Sequence, residues 1–282
     1  MKPNARFQET FDGRVVVVTG AGSGIGRELV LLLRDSGARV HACDRNEAPI
    51  RKLEEASSAR GSITPHVLNV ADGGAVTSVF RKIAEEEGGI DFLFNNAGIT
   101  LLGESHLLPF DLWKSLLDIN LMGVVHGIQA VYPSMVRRGR GHIINTASVA
   151  AVTGYATSVA YAGSKAAILE LSRSLGAEAE GHGVRVSAAC PGYVNSGIFS
   201  QERIVGSDRD HVVGNLPVAM LPPRTAARML LDGVVRNKRE IIFPATARMF
   251  CFLGRWLPFL LAPSQKKLIR VFREGGGIAA RD

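Results

Sequence analysis

The stretch that decides the fold is Val15-Val16-Val17-Val18-Thr19-Gly20-Ala21-Gly22-Ser23-Gly24-Ile25-Gly26. Its four consecutive valines predict a short strand that is buried on both faces, as the strands of parallel sheets are. Residues 27–36 then carry apolar side chains at helical spacing, and Gly37 ends that helix. A strand, a glycine-rich turn and a helix in this order predict the first unit of a parallel α/β sheet.

The same alternation of strands and helices continues to residue 243. Short apolar runs predict further strands at 39–43, 64–68, 91–94, 142–146, 185–189 and 240–243. Segments of helical spacing predict helices at 49–59, 73–87, 110–137, 159–180 and 225–235. Such alternation forms right-handed βαβ units, so we predict a doubly wound parallel sheet, the Rossmann fold. A single domain is expected over residues 1–245, with a lid region at 193–223 where the periodicity weakens.

The composition is that of an ordinary globular protein. Of the 282 residues, 46% are hydrophobic and 21% are charged, which excludes a disordered or fibrous chain. The three cysteines, Cys43, Cys190 and Cys251, lie far apart and form no CxxC pair. Together with polar first residues that lack the apolar core of a signal peptide, this pattern predicts a reducing intracellular compartment, the cytoplasm.

The net charge of +7 comes entirely from the C-terminal end. Residues 236–282 contain 10 basic and 3 acidic side chains, whereas residues 1–235 contain 23 of each. A nucleic-acid-binding fold needs a basic face with aromatic platforms on its body, so no nucleic-acid partner is predicted. The seven histidines form no HxxxH pair and no cluster with cysteine, so no metal site is predicted either.

The glycine-rich turn has the composition of a phosphate-binding turn. Glycines there let the backbone approach a pyrophosphate, whose charge the helix N-terminus stabilises. Asp44 follows Gly24 by 20 residues and ends the second predicted strand, where a ribose-binding acid is expected. Its carboxylate would accept hydrogen bonds from the ribose and repel a 2′-phosphate, which favours NAD over NADP. Arg45, the next residue, would offset part of that repulsion.

A tyrosine and a lysine four residues apart are the candidates for proton transfer. Tyr161 and Lys165 would share one face of a helix, and a fixed ammonium nearby would lower the pKa of the phenol. The other three tyrosines, Tyr132, Tyr155 and Tyr193, are not followed by lysine at this spacing. Ser148 lies at the end of the predicted strand 142–146, where its hydroxyl would polarise a substrate carbonyl.

These motifs together resemble the short-chain dehydrogenase/reductase family, over nearly all of residues 13–243. The resemblance rests on the glycine turn, the Asn95-Asn96-Ala97-Gly98 segment, Asn120, Ser148, the Tyr161-Ala162-Gly163-Ser164-Lys165 motif and Pro191-Gly192. It implies hydride transfer between a nicotinamide cofactor and a secondary alcohol or ketone. It further implies that Tyr161 is the acid/base, that Ser148 bonds the reacting oxygen and that Lys165 binds the nicotinamide ribose. Asn120 would hold a water of the proton relay.

The resemblance also implies a set of cofactor-binding residues. They are Gly20, Ser23, Gly24, Ile25, Gly26, Asp44, Arg45, Asn69, Val70, Asn96, Ala97, Gly98, Tyr161, Lys165, Pro191, Gly192, Val194 and Ser196. Two positions depart from the usual pattern. Asn69 stands where an aspartate commonly faces the adenine, and its side-chain oxygen still accepts that bond. Ser196 replaces a threonine and keeps the hydroxyl.

The C-terminal extension, residues 246–282, has no counterpart in the resemblance. Residues 249–262 are strongly apolar but too few to span a membrane, and Lys266, Lys267, Arg270 and Arg273 follow them. One interpretation is a lid or dimer-contact helix that packs on the same chain or its partner. The other is peripheral contact of residues 249–273 with an anionic membrane. Both indicate a bulky apolar substrate, because the extension follows the lid region.

The expected substrate is therefore a lipophilic secondary alcohol or ketone, bound by Ser148, Tyr155, Tyr161 and Tyr193. Within the class, the alternative is an NADPH-dependent ketoreductase of a biosynthetic pathway. From another class, the alternative is a non-catalytic dinucleotide-binding protein or a membrane-docked interaction protein. The family's usual dimerisation surfaces correspond to the helices at 110–137 and 159–180, so a homodimer or homotetramer is expected.

Overall fold

The computed structural model describes residues 5–55, 60–216 and 219–276. Its strands are β1 (Val15–Thr19), β2 (Arg39–Asp44), β3 (Ser62–Val67), β4 (Phe92–Asn95), β5 (Gly141–Thr146), β6 (Val184–Pro191) and β7 (Glu240–Phe243). They form one sheet in the order β3-β2-β1-β4-β5-β6-β7, and every neighbouring pair is parallel. The predicted doubly wound parallel sheet is confirmed.

Helices cover both faces of the sheet. They are α1 (Ala5–Phe11), α2 (Gly24–Asp35), α3 (Glu47–Glu54), α4 (Gly73–Glu87), α5 (Phe110–Leu117), α6 (Gly123–Arg138), α7 (Ala150–Thr153), α8 (Val159–Ala179), α9 (Arg209–Gly214), α10 (Pro223–Val235), α11 (Ala245–Trp256) and α12 (Ala262–Gly275). Helices α1, α2, α3 and α10 bury apolar side chains on one face. Helices α4, α6 and α8 do so on the other. The valines of β1 alternate between these two cores, which explains why all four are apolar.

Four features of the structure differ from the prediction. The N-terminal helix α1 was not predicted, and it is held by Phe7 and Phe11, which are buried against the sheet. The single helix predicted at 110–137 is divided into α5 and α6 by a π-helical turn, Asp118–Met122. The predicted lid region contains α9 and a 3₁₀ turn, Gln201–Arg203. The predicted helix at 49–59 ends at Glu54, and residues 56–59 lie outside the described residues.

The strand order places a crevice at the carboxyl edge of the sheet. The chain runs outward from β1 to β3 on one side and returns to β4 on the other, so the connections after β1 and β4 diverge. Open α/β sheets bind ligands at such switch points. The side chain of Asn96, after β4, donates a 3.0 Å hydrogen bond to the carbonyl oxygen of Thr19, the last residue of β1. The two connections are thereby joined at the edge where the candidate site lies.

Burial lowers the pKa of three histidines in or beside the sheet. His41 Nδ1 and His66 Nε2 lie 3.0 Å apart, so one ring donates and the other accepts. Burial lowers the pKa of His41, against the opposing effect of Glu87, and it lowers the pKa of His66 to about 4. His142, bonded through Nε2 to Ser187 Oγ at 2.8 Å, has its pKa lowered by burial to about 3.

These shifts predict that the fold loses stability in mild acid. A histidine whose folded pKa lies below its unfolded value of about 6.5 binds more protons in the unfolded chain, so stability falls as the pH drops below that value. For the buried His142 the slope approaches about 1.4 kcal/mol per pH unit down to its folded pKa. We expect Tm to fall between pH 6.5 and 4.5. His142→Gln should flatten this dependence and the exposed His182→Gln should not, whereas a wild-type Tm that is constant over this range would contradict the account.

Candidate active site

A cleft of about 450 Å³ opens along the carboxyl edge of the sheet. The predicted residues that line it are Gly20, Ser23, Gly24, Ile25, Asp44, Arg45, Asn69, Val70, Asn96, Ala97, Gly98, Ser148, Tyr155, Tyr161, Lys165, Pro191, Gly192, Tyr193, Val194 and Ser196. Two other predicted residues, Gly26 and Asn120, lie behind its wall. The residues expected to bind the cofactor and the residues expected to react therefore share one continuous cleft.

The glycine turn is packed too closely to admit side chains. A Cβ atom on Gly20 would lie 2.7 Å from the Cα of Ala97, and one on Gly26 would lie 2.0 Å from the carbonyl oxygen of Gly20. Gly20 also has a φ of 66°, in the left-handed region that favours glycine. The backbone thus makes a narrow turn into the N-terminus of α2, which is the geometry that binds a pyrophosphate. Gly26 supports this turn from behind and does not face the cleft.

Asp44 closes the end of the cleft beside β2. Its Oδ2 accepts a 2.9 Å hydrogen bond from the backbone N–H of Gly22, and its Oδ1 accepts one of 2.9 Å from Asn46. Each carboxylate oxygen keeps lone pairs for further donors. Arg45 and Arg203 line the same region, and the pKa of Arg203 is lowered by burial and by repulsion from Arg45. This end of the cleft therefore holds two carboxylates, of Asp44 and Glu202, and two guanidinium groups, of Arg45 and Arg203.

Tyr161, Lys165 and Ser148 meet in the middle of the cleft. Tyr161 and Lys165 lie one turn apart on α8, and the Lys165 Nζ is 5.8 Å from the centroid of the phenol ring. That Nζ donates a 2.7 Å hydrogen bond to the carbonyl oxygen of Thr146, at the end of β5. The Tyr161 hydroxyl is hydrogen-bonded to the side chain of Ser148, which lies two residues after the end of β5. Helix α8 and strand β5 thus bring the three polar groups together.

The expected lowering of the Tyr161 pKa is wrong for this arrangement. Desolvation inside the cleft raises the pKa of the phenol, and the hydrogen bond with Ser148 opposes that rise. Burial also lowers the pKa of the Lys165 ammonium to about 8. The physical reason is that Lys165 directs its Nζ to the carbonyl oxygen of Thr146, so its charge acts on the phenol only from a distance. The helical spacing predicted that Tyr161 and Lys165 are neighbours, but it did not predict that the Lys165 side chain points to Thr146.

Asn120 lies in the π-helical turn between α5 and α6 and is fully buried. Its side chain accepts a 2.8 Å hydrogen bond from the backbone N–H of Ile99 and donates one of 2.9 Å to the Ile99 carbonyl oxygen. It also approaches Ser164 Oγ at 3.3 Å. The asparagine therefore fastens the chain after β4 to the helix that carries Tyr161. Its role in a proton relay stays a prediction.

An aromatic wall extends the cleft beyond Tyr161. The rings of Tyr155 and Tyr193 are 6.3 Å apart, Tyr193 stacks on Phe199 at 6.4 Å, and Tyr155 lies 5.9 Å from Phe250 of α11. The hydroxyls of Tyr155 and Tyr193 also interact with each other. This half of the cleft consequently presents ring faces and aliphatic carbon.

Sequence reasoning missed the lining residues of the lid and the extension. Val212 and Leu216 come from the lid region, and Leu268 comes from α12. Helix α12 reaches the cleft because Arg273 forms a bidentate ion pair with Glu104, at 2.8 and 3.0 Å. At its other end, Gln265 accepts a 2.9 Å hydrogen bond from the backbone N–H of Ala156. The apolar spacing of residues 268–272 was the available signal, although it did not reveal the partner.

Thr157, between Ser148 and Tyr161, lines the cleft with a φ of 64°. A β-branched residue in this region is strained, and such strain persists only where the surroundings hold it. Here the Thr157 carbonyl oxygen accepts a 2.7 Å hydrogen bond from the backbone N–H of Gly103. The segment between the two hydroxyl-bearing residues is thus held in place by the chain that follows β4.

The sheet, the glycine turn and the Tyr161–Lys165 pair define an α/β oxidoreductase with a dinucleotide site. A family model for short chain dehydrogenases matches residues 14–204. The chain is 32% identical to the 3-oxoacyl-[acyl-carrier-protein] reductase FabG of Thermotoga maritima, over 78% of this chain and 89% of that protein. It is 34% identical to the 2-(R)-hydroxypropyl-CoM dehydrogenase of Xanthobacter autotrophicus, over 72% and 84%.

Solved structures agree with these relatives. A short-chain dehydrogenase/reductase from Burkholderia phymatum, in complex with NAD, superposes with a TM-score of 0.77 at 25% identity, over 86% of this chain and 93% of that one. The chain belongs to the short-chain dehydrogenase/reductase family, and it is a nicotinamide-dependent oxidoreductase. Among the described residues, every helix is too short or too polar to cross a membrane.

Proposed function

We propose that the chain transfers a hydride between NAD and a lipophilic secondary alcohol or ketone. The observation that carries this proposal is the position of the Tyr161–Ser148 hydrogen bond, beside the aromatic wall of Tyr155, Tyr193 and Phe199. Two hydroxyls suit a single reacting oxygen, and ring faces suit an apolar substrate. The charged residues lining the described cleft are Asp44, Arg45, Lys165, Glu202 and Arg203. Apart from Lys165, they belong to the end of β2 and the 3₁₀ turn beside it.

The residues of the cleft fit a nicotinamide dinucleotide. The glycine turn excludes side chains where the pyrophosphate would lie, and Asp44 keeps acceptor capacity for the adenosine ribose. Lys165, with Nζ near Gly98, would donate to the nicotinamide ribose. When bound, the dinucleotide supplies the acceptor or donor of the hydride. All other steps belong to side chains of the chain itself.

In the oxidation direction, Ser148 donates a hydrogen bond to the substrate oxygen and orients it toward Tyr161. The Tyr161 phenolate accepts the hydroxyl proton while the hydride leaves the carbinol carbon. In reduction, the phenol returns the proton to the alkoxide oxygen. Burial raises the pKa of Tyr161, which favours the protonated phenol that donates in this step. Asn120 acts behind this pair by holding α8 to the chain after β4.

Asp44 supports NAD as the preferred cofactor, and its removal should change that preference. In Asp44→Ala we expect affinity for NAD to fall about tenfold, because one charged acceptor of the ribose is lost, while affinity for NADP rises. Fluorescence titration of both reduced cofactors measures the two affinities. Asp111→Ala, an exposed acid on α5, is the matched control. Arg45 and Arg203 support the NADPH-dependent alternative, and tighter binding of NADPH than NADH by the wild type would favour it.

The substrate proposal is tested with paired alcohols of similar reactivity. Bulky apolar secondary alcohols and small polar ones are offered with NAD, and formation of reduced cofactor is followed by absorbance. We expect kcat/KM to be at least about tenfold higher for the bulky apolar members, because each buried methylene contributes about 0.8 kcal/mol. Equal rates for both groups, or a preference for charged alcohols, would contradict the lipophilic assignment.

We also propose that the chain is a homodimer or homotetramer. Large apolar side chains remain exposed on the two predicted dimerisation helices: Phe110 and Leu117 on α5, Met122 in the π-helical turn and Val159 on α8. Exposed apolar patches of this kind mark interfaces between subunits.

A further inference from the structure

The C-terminal extension carries a concentrated group of exposed apolar side chains. Met249, Phe252, Trp256, Phe259 and Leu260 have exposed fractions of 62%, 60%, 65%, 67% and 52%. The first three stand at positions i, i+3 and i+7 of α11, so they lie on one face of that helix. The last two belong to the 3₁₀ turn that follows, Pro258–Leu261. We call these five residues the apolar tail face.

The opposite face of α11 is packed into the protein, so the outward direction of the apolar tail face is fixed. Ala247 and Cys251 are buried in one cluster with Val149. Gly254 lies so close to α7 that a Cβ atom there would be 2.2 Å from Thr153 Cγ2. Turning α11 to bury its aromatic residues would therefore expose its present core residues. The outer side chains need another partner.

The charges around this face have one sign. Residues 241–273 include six basic side chains and no acidic ones. One of the six, Arg273, is paired with Glu104. The other five are exposed and, within the part of the chain that the structure describes, make no salt bridge: Arg248, Arg255, Lys266, Lys267 and Arg270. Arg255 instead lies 6.0 Å from the ring of Trp256. A partner that matches the apolar tail face therefore offers an apolar region to its five side chains and negative charge to the surrounding Lys and Arg side chains.

We propose that the apolar tail face docks the protein onto the surface of an anionic lipid bilayer. Trp and Phe side chains enter the boundary between headgroups and acyl chains, and Lys and Arg side chains contact anionic headgroups. A second copy does not meet these requirements, since a twofold contact through this face would place the five cations of each copy against those of the other.

The same helices border the cleft. Phe250 of α11 contacts Tyr155 of the aromatic wall, and Leu268 of α12 lines the cleft itself. In a docked molecule, the part of the cleft lined by the aromatic wall would thus lie beside the bilayer, where lipophilic alcohols and ketones concentrate. This consequence rests on the proposed function, whereas the docking proposal does not.

The docking proposal is tested by co-sedimentation of the full chain with vesicles. Vesicles of phosphatidylcholine with about 30% phosphatidylserine are compared with pure phosphatidylcholine vesicles. We expect binding to the anionic vesicles that weakens about tenfold on pure phosphatidylcholine, and that falls as salt is raised. The chain has two tryptophans, so Trp113→Phe leaves Trp256 as the reporter. Its fluorescence should shift to the blue with vesicles and be quenched by brominated acyl chains.

Two pairs of variants separate the apolar and ionic contributions. Phe252→Ser/Phe259→Ser should lower vesicle affinity about tenfold or more, because two exposed rings no longer enter the interface. Val67→Ser, an exposed apolar residue on β3, is its control. Lys266→Gln/Lys267→Gln should lower affinity for the anionic vesicles only, whereas Arg81→Gln/Lys82→Gln on α4 should not. The Tm and the far-UV circular dichroism of these variants should match those of the wild type, which shows that they fold.

Several results would overturn the docking proposal. They are the absence of wild-type binding to the anionic vesicles, equal binding by wild type and Phe252→Ser/Phe259→Ser, or an unshifted Trp256 spectrum. Light scattering provides a further test, because it measures the molar mass of the assembly. If this mass fell when Phe252 and Phe259 were replaced, the face would be a contact between copies of the chain. Because vesicle binding is measured without turnover, failure of the hydride-transfer proposal leaves it testable.

Discussion

Replacing Tyr161 with phenylalanine is expected to lower turnover at least about a hundredfold, the contribution of a positioned acid/base. The substitution removes the hydroxyl that is hydrogen-bonded to Ser148 and leaves the ring against Lys165 in place. Binding of the reduced cofactor should remain close to the wild-type value, because the glycine turn and Asp44 are untouched. Steady-state rates and fluorescence titration measure the two effects separately.

Tyr132→Phe is the matched control for this prediction, because Tyr132 lies on α6 and does not line the cleft. It should change neither turnover nor cofactor binding. If Tyr161→Phe kept more than about a tenth of wild-type turnover, the phenol would not be the acid/base. If it lost cofactor binding as well, the effect of the substitution would be structural.

Replacing Gly26 with alanine is expected to abolish tight cofactor binding and to destabilise the fold. The new Cβ would lie 2.0 Å from the carbonyl oxygen of Gly20 and 2.6 Å from Asn96 Nδ2, so the backbone of the turn must move. Overpacking of this kind costs about 1–3 kcal/mol, and the displaced turn no longer presents its N–H groups to a pyrophosphate. Tm should fall by several degrees, and affinity for NADH should fall at least about tenfold.

Gly181→Ala is the control, since a Cβ atom there meets no atom within 4 Å and the residue has no positive φ. It should leave Tm and cofactor affinity within error of the wild type. Unchanged NADH affinity in Gly26→Ala would show that the glycine turn does not form the pyrophosphate site.

The sequence predicted those parts of the fold that depend on local pattern. The valines of β1 alternate between two cores, so both faces of this strand must be apolar. The resulting run of four apolar residues predicted a strand of a parallel sheet. The glycines of the turn are required by backbone contacts within a few ångströms, so their spacing was equally informative. Helix α1 left no such signal, because a seven-residue helix is stable only where Phe7 and Phe11 find a core.

The candidate site was predictable where residues lie in motifs and not where tertiary contacts build it. The helical spacing of Tyr161 and Lys165 placed them side by side. However, the carbonyl oxygen of Thr146, which receives the Lys165 hydrogen bond, comes from another element. Leu268 lines the cleft on a helix that is fixed by distant contacts, among them the ion pair of Arg273 with Glu104, 169 residues away in the chain. Composition indicated an apolar and basic extension, but the direction of its exposed face depends on packing against Thr153.

Hydride transfer between the nicotinamide and the carbonyl carbon of a lipophilic ketone can be tested directly. NADH deuterated at both C4 positions is incubated with the protein and a panel of bulky apolar ketones, and the products are analysed by mass spectrometry. The account predicts alcohols with one deuterium on the carbinol carbon, formed by wild type and lost in Tyr161→Phe. Bound NADH with no deuterated alcohol from any member of the panel would contradict it and would favour a non-catalytic dinucleotide-binding protein.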